Sequence, residues 1–65
     1  MIFTTKQLAA ASGRSIRTIR HHVKEGWLTP VPKEELPKGV RGSRFKLSTA
    51  KKWLELHYPG KKLPS

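Results

Sequence analysis

The chain contains no cysteine and no aspartate, and its four acidic residues face 14 lysines and arginines. Without cysteine there is no disulfide scaffold, no thiolate zinc site and no cysteine nucleophile, and no need of an oxidising compartment. The glutamates, at positions 25, 34, 35 and 55, show no paired arrangement suited to acid and base roles, so no enzyme is expected. Long apolar runs are missing too. Nothing approaches the roughly 18 residues of a membrane span. Lys6 and Gln7 stand where a signal peptide would need an apolar core, which predicts a cytoplasmic protein with no membrane association.

What the sequence does have is positive charge, a formal net +10 over 65 residues. A chain this short forms one domain and buries only about 60% of its unfolded surface, which leaves little room for a large substrate cavity. Apolar residues are 35% of the total, but they are spread along the chain, which argues for a fold rather than disorder. The charge is spread as well: residues 1–28, 29–47 and 48–65 each carry more lysine and arginine than glutamate. It therefore belongs to the fold and is not a detachable tail. Charge alone fits a nucleic acid, an anionic membrane surface or simple solubility.

Local signals divide the chain. Thr4 followed by Gln7 fits a capping box, and Phe3 with Leu8 a hydrophobic staple. They predict a helix over residues 5–12 that turns Leu8 and Ala11 inward and closes at Gly13. Ser15 is placed to cap a second helix, in which Ile16, Ile19 and Val23 recur at i, i+3 and i+7, and Gly26 ends it. Two short helices joined by a glycine-containing turn are the outline of a helix-turn-helix. Farther on, Trp27, Leu28 and Val31 beside Pro30 and Pro32 permit at best an edge strand, and the alternation over residues 44–47 predicts a second. Pro37, Gly39 and Gly42 make residues 33–43 a long, mobile hairpin tip. Ser48 is placed to cap a last helix with Ala50, Trp53, Leu54 and His57 on its inner face, stopped by Pro59 and Gly60. Residues 61–65 read as a frayed basic tail.

The second helix carries the most specific pattern. Arg17, Arg20, His21 and Lys24 fall at i, i+3, i+4 and i+7 and form one stripe, roughly a third of a turn from Ile16, Ile19 and Val23. A solvated face is the ordinary reading of any one of these residues. Four cationic or potentially cationic groups together, opposed only by Glu25, are a different matter, since like charges repel unless something external compensates. Such a helix fits the major groove of duplex DNA. There an arginine donates two hydrogen bonds to guanine O6 and N7, Lys24 and His21 reach phosphates, and the Thr18 methyl meets a thymine methyl. The helix start near Ser15 offers backbone N–H groups to a phosphate.

The loop forms a second basic cluster. Lys38, Arg41, Arg44 and Lys46 are interleaved with Gly39 and Gly42, which allow close backbone approach to a phosphate and arginine entry into a narrow minor groove. The alternative is a solvent loop that contacts nothing. Phe3, Trp27, Phe45 and Trp53 sit at element junctions and read as core rather than as base-stacking platforms. His21 and His22 cannot share a helix face, and with His57 they form no recognised ligand spacing, so neither a metal nor another cofactor is expected.

The residues Leu8-Ala9, Ser12-Gly13, Ser15-Ile16-Arg17-Thr18-Ile19-Arg20 and Gly26-Trp27-Leu28 resemble the winged helix-turn-helix of MerR-like regulators and phage excisionases. The stretch Gly39-Val40-Arg41-Gly42-Ser43-Arg44-Phe45 is similar to the wing of the phage Mu-type DNA-binding domain of repressors and transposases. The resemblance implies a mainly α fold with a small β-hairpin, three short helices plus a wing, over residues 1–58, followed by the tail 59–65. It implies a recognition helix, residues 16–25, that brings Arg17, Thr18, Arg20 and His21 to the major groove. Arg41 and Arg44 would lie on a wing, residues 32–47, along the backbone or minor groove. The expected function is sequence-specific binding of double-stranded DNA by a small transcriptional regulator of phage or mobile-element type, in the nucleoid of a bacterial or phage-infected cell. The DNA-binding module of a recombination system, an RNA-binding protein and a membrane-active cationic peptide are the alternatives. A module this small gains specificity by assembling on DNA, which leaves a homodimer or a cooperative array open.

Overall fold

A computed structural model describes residues 2–63. In chain order the elements are strand β1 (Ile2–Thr4), helix α1 (Thr5–Ser12), helix α2 (Ile16–Lys24), a 3-10 turn (Lys33–Glu35), strand β2 (Arg44–Lys46) and helix α3 (Leu47–His57). The class is as predicted, mainly α with a small antiparallel strand pair.

The first two helices form where their caps require. Thr4 Oγ1 accepts the Gln7 N–H at 3.1 Å while the Thr4 N–H donates to Gln7 Oε1 at 2.8 Å, so both halves of the capping box are made. At the other end Gly13 adopts φ 72°, a left-handed backbone that a side chain would strain. This lets the Gly13 N–H reach Ala10 O and the Arg14 N–H reach Ala9 O, the bond pair of a Schellman ending. Ser15 Oγ then accepts the Thr18 N–H at 3.2 Å and starts α2.

The strand pairing differs from expectation. β2 pairs not with residues 27–31 but with β1, antiparallel, in the register Ile2 to Lys46, Phe3 to Phe45 and Thr4 to Arg44. Pro30 and Pro32 leave Val31 as the one N–H donor among residues 30–32, and it makes one bond, to Arg44 O at 2.7 Å. The unbroken Ile-Phe-Thr run supplies the full ladder instead. Each strand leads directly into a helix, β1 into α1 and β2 into α3. α3 consequently begins at Leu47, with Lys46 in extended backbone as its N-cap, and Ser48 lies inside the first turn rather than capping it.

Phe3 and Phe45 face each other across the ladder and are both buried, along with Leu8, Ala9, Ile19, Leu28, Ala50, Trp53 and Leu54. Ala11, Val23 and Tyr58 pack on this cluster half-buried. Two apolar residues expected inside are not. Ile16 is 44% exposed and Trp27 51% exposed, while His22, at 7%, occupies the inner face of α2 beside Ile19 and Val23. The region expected as a bare loop contains the 3-10 turn, closed by Glu35 N–H to Pro32 O and Leu36 N–H to Lys33 O. The chain after α3 also departs from a frayed tail: the Lys61 N–H bonds Tyr58 O at 3.1 Å, and Leu63 packs on the core. Pro64 and Ser65 of that expected tail lie outside the described residues.

Candidate nucleic-acid interface

Arg17, Arg20, His21 and Lys24 all stand exposed on α2. With His22 in the place expected of Ile16, the inward set becomes Ile19, His22 and Val23, roughly half a turn from the basic stripe rather than a third. Burial of one face therefore aims the other directly outward. Ser15 and Thr18 are already engaged. Their hydroxyls lie 3.1 Å apart and Thr18 is half-buried, so both side chains serve first to start the helix.

The loop residues divide in the same way. Lys38 and Arg41 are exposed, Lys38 just before Gly39 at φ 92° and Arg41 just before Gly42 at φ 79°. Arg44 is half-buried at the base, its Nη1 donating to Ser43 O at 3.0 Å. Lys46 Nζ lies 3.4 Å from Glu35 Oε1, an ion pair whose side chains are both more than half exposed and which water screens strongly. Among the described residues no hydrogen bond or ion pair joins the loop cations to the α2 stripe, so the two clusters share the core and nothing more direct.

Behind the stripe lies a feature that the sequence does not announce. His22 is ringed by Trp27, Trp53, His57 and Tyr58, with ring centroids 5.1 to 5.9 Å away. Trp53 Nε1–H donates to His22 Nδ1 at 2.9 Å, and the Tyr58 hydroxyl lies 3.3 Å from His22 Nε2. The Arg14 guanidinium sits 5.3 Å from the centre of the Tyr58 ring. Burial chiefly, then the nearby His57, His21 and Arg14, holds His22 below the ordinary histidine pKa. Its partners are 31 and 36 positions away; the one signal in the sequence is its place three residues after Ile19 on the inward face.

Compared with known protein families, curated proteins and solved structures, the chain matches none. The site must be read from its own chemistry. Among the described residues no group of three or more His, Cys, Asp or Glu side chains is arranged to hold a metal ion, and both ring nitrogens of His22 are already engaged. No described helix is long and apolar enough to cross a membrane. What the exposed face of α2 presents is hydrogen-bond donors and positive charge.

Proposed function

We propose that this protein binds double-stranded DNA with sequence preference, as a winged helix-turn-helix of the MerR, excisionase and Mu-type kind, and acts as a small regulator rather than an enzyme. The observation that carries the reading is the α2 stripe: Arg17, Arg20, His21 and Lys24 exposed together, opposite a buried face, on a helix started by Ser15. An α-helix about 10–12 Å across fits a major groove about 12 Å wide, and the nine residues of α2 run about 13 Å along it. Arginine there reads guanine by two parallel hydrogen bonds, while Lys24 and His21 bind phosphates and fix the register.

The loop supplies the wing. Lys38 and Arg41 track the phosphate backbone or enter a narrow minor groove, with Arg44 and Lys46 at its base. The reading is tested by selecting duplexes from a random pool with the purified chain, which recovers sequence, half-site symmetry and spacing together. Enrichment of one motif supports it; a pool that stays random while single-stranded or A-form RNA competes for binding overturns it in favour of RNA.

A further inference from the structure

Among the described residues, the only hydrogen bonds from an α2 side chain to another element are those of His22. The remaining inward contacts of the helix, through Ile19 and Val23, are apolar. Apolar contact is non-directional and leaves a short helix free to roll by some degrees about its axis. A hydrogen bond between two rings packed among other rings does not. Indole N–H can only donate, so the 2.9 Å bond from Trp53 requires a lone pair on His22 Nδ1. The single proton of the neutral imidazole then belongs to Nε2, where it faces the Tyr58 oxygen.

We propose that His22 is a positioning residue: held as the Nε2–H tautomer between Trp53 and Tyr58, it fixes the rotation of α2 and with it the direction in which Arg17, Arg20, His21 and Lys24 point. The latch stands on this geometry, and its consequence for DNA rests on the proposed function. A second proton on His22 would set Nδ1–H against the indole N–H and break the latch. The titratable and charged groups around it all weigh against that proton: His21 on α2, Arg14 in the turn before it, and His57 on α3. Tyr58, beyond α3, is the remaining titratable neighbour, and Trp27 carries no charge.

The test uses the full chain with 15N-labelled histidine and two variants, His22→Asn and His22→Phe. Asn keeps an acceptor where Nδ1 stands and does not titrate; Phe keeps the ring and loses both bonds. At pH 7.5 the His22 Nδ1 resonance is expected in the unprotonated range and Nε2 in the protonated range; the opposite tautomer, or fast averaging of the two, overturns the latch. For the duplex selected by the unmodified chain, His22→Asn should bind within about threefold of it, and a folded His22→Phe about tenfold more weakly, because neither bond then fixes the direction of the stripe. Equal loss in both variants, or none in Phe, overturns the positioning role. If His22→Phe does not fold, thermal melts decide: the melting temperature should fall between pH 7.5 and pH 5 in the unmodified chain and lose most of that fall in His22→Asn. The same fall in both overturns the latch. Failure of the unmodified chain to bind any duplex overturns the function and the positioning role together, while the tautomer and the melts still decide the latch.

Discussion

The indole Nε1–H of Trp53 donates to Nδ1 of His22 at 2.9 Å, tying α3 to the inner face of the helix whose outer face carries the basic stripe. The bond makes stability depend on pH. His22 titrates below the ordinary histidine value when folded, chiefly because it is buried. The unfolded chain, with a pKa of about 6.5, therefore takes up the proton first as pH falls. Stability from this group is complete above that value and is lost as pH drops from it through the folded pKa. Urea unfolding at pH 7.5, 6 and 5 should give a falling midpoint with unchanged slope. Trp53→Phe should be less stable at pH 7.5 by about 1 to 3 kcal/mol and show a shallower pH dependence, since Nδ1 is then free to accept a proton.

Phe45 is fully buried and stands opposite Phe3 in the strand pair. Phe45→Ala should cost about 3 to 5 kcal/mol, comparable with the whole stability of a domain this small. The variant is expected to lose its helical circular dichroism at 25 °C, and a cooperative melt close to that of the unmodified chain would contradict the packing described.

Gly13 stands at φ 72°, and a Cβ built there meets Lys61 Nζ at 3.7 Å, an ordinary contact. The cost of Gly13→Ala is therefore backbone strain rather than collision, about 1 to 2 kcal/mol. Chemical denaturation checks it; a neutral outcome would mean that the turn relaxes out of the left-handed region.

The starts of α1 and α2 were legible because their signals are local, whereas that of α3, at Lys46 rather than Ser48, was not. Thr4 finds Gln7, and Ser15 finds Thr18, within three residues, so spacing alone is enough. The strand pairing was not, because it joins Phe3 to Phe45 across most of the chain and spans only three residue pairs, too short for a pattern to register. The inward face of α2 was half legible. Periodicity chose Ile16 because it is apolar, yet His22 is buried instead, since Trp53 and Tyr58 satisfy both its nitrogens. The basic stripe needed only helical spacing and survived that exchange, whereas the Lys46 pairing with Glu35 depended on a 3-10 turn that the loop composition concealed.

Lys46 and Glu35 separate stability from binding. Their exposed pair contributes little to folding, so Glu35→Ala should leave the melting temperature within about 2 °C of the original. By releasing Lys46 toward phosphate it should hold or raise DNA affinity, whereas Lys46→Ala should lower it. Arg41→Ala on the exposed loop should weaken all duplexes about evenly and lessen the salt slope by about 1. Fluorescence anisotropy on a selected and a scrambled duplex distinguishes these outcomes.

The most direct test of the central claim is a salt titration of binding to the selected duplex and to a scrambled one, for the unmodified chain and for Arg17→Ala. If the α2 stripe and the loop together touch about 5 to 7 phosphates, log affinity should fall against log salt with a slope of roughly −4.5 to −6. Arg17→Ala should then reduce the preference for the selected duplex by about 1 to 3 kcal/mol. A flat salt response, or an Arg17→Ala chain with affinity and preference both unchanged, would contradict the assignment of α2 as the helix that reads DNA.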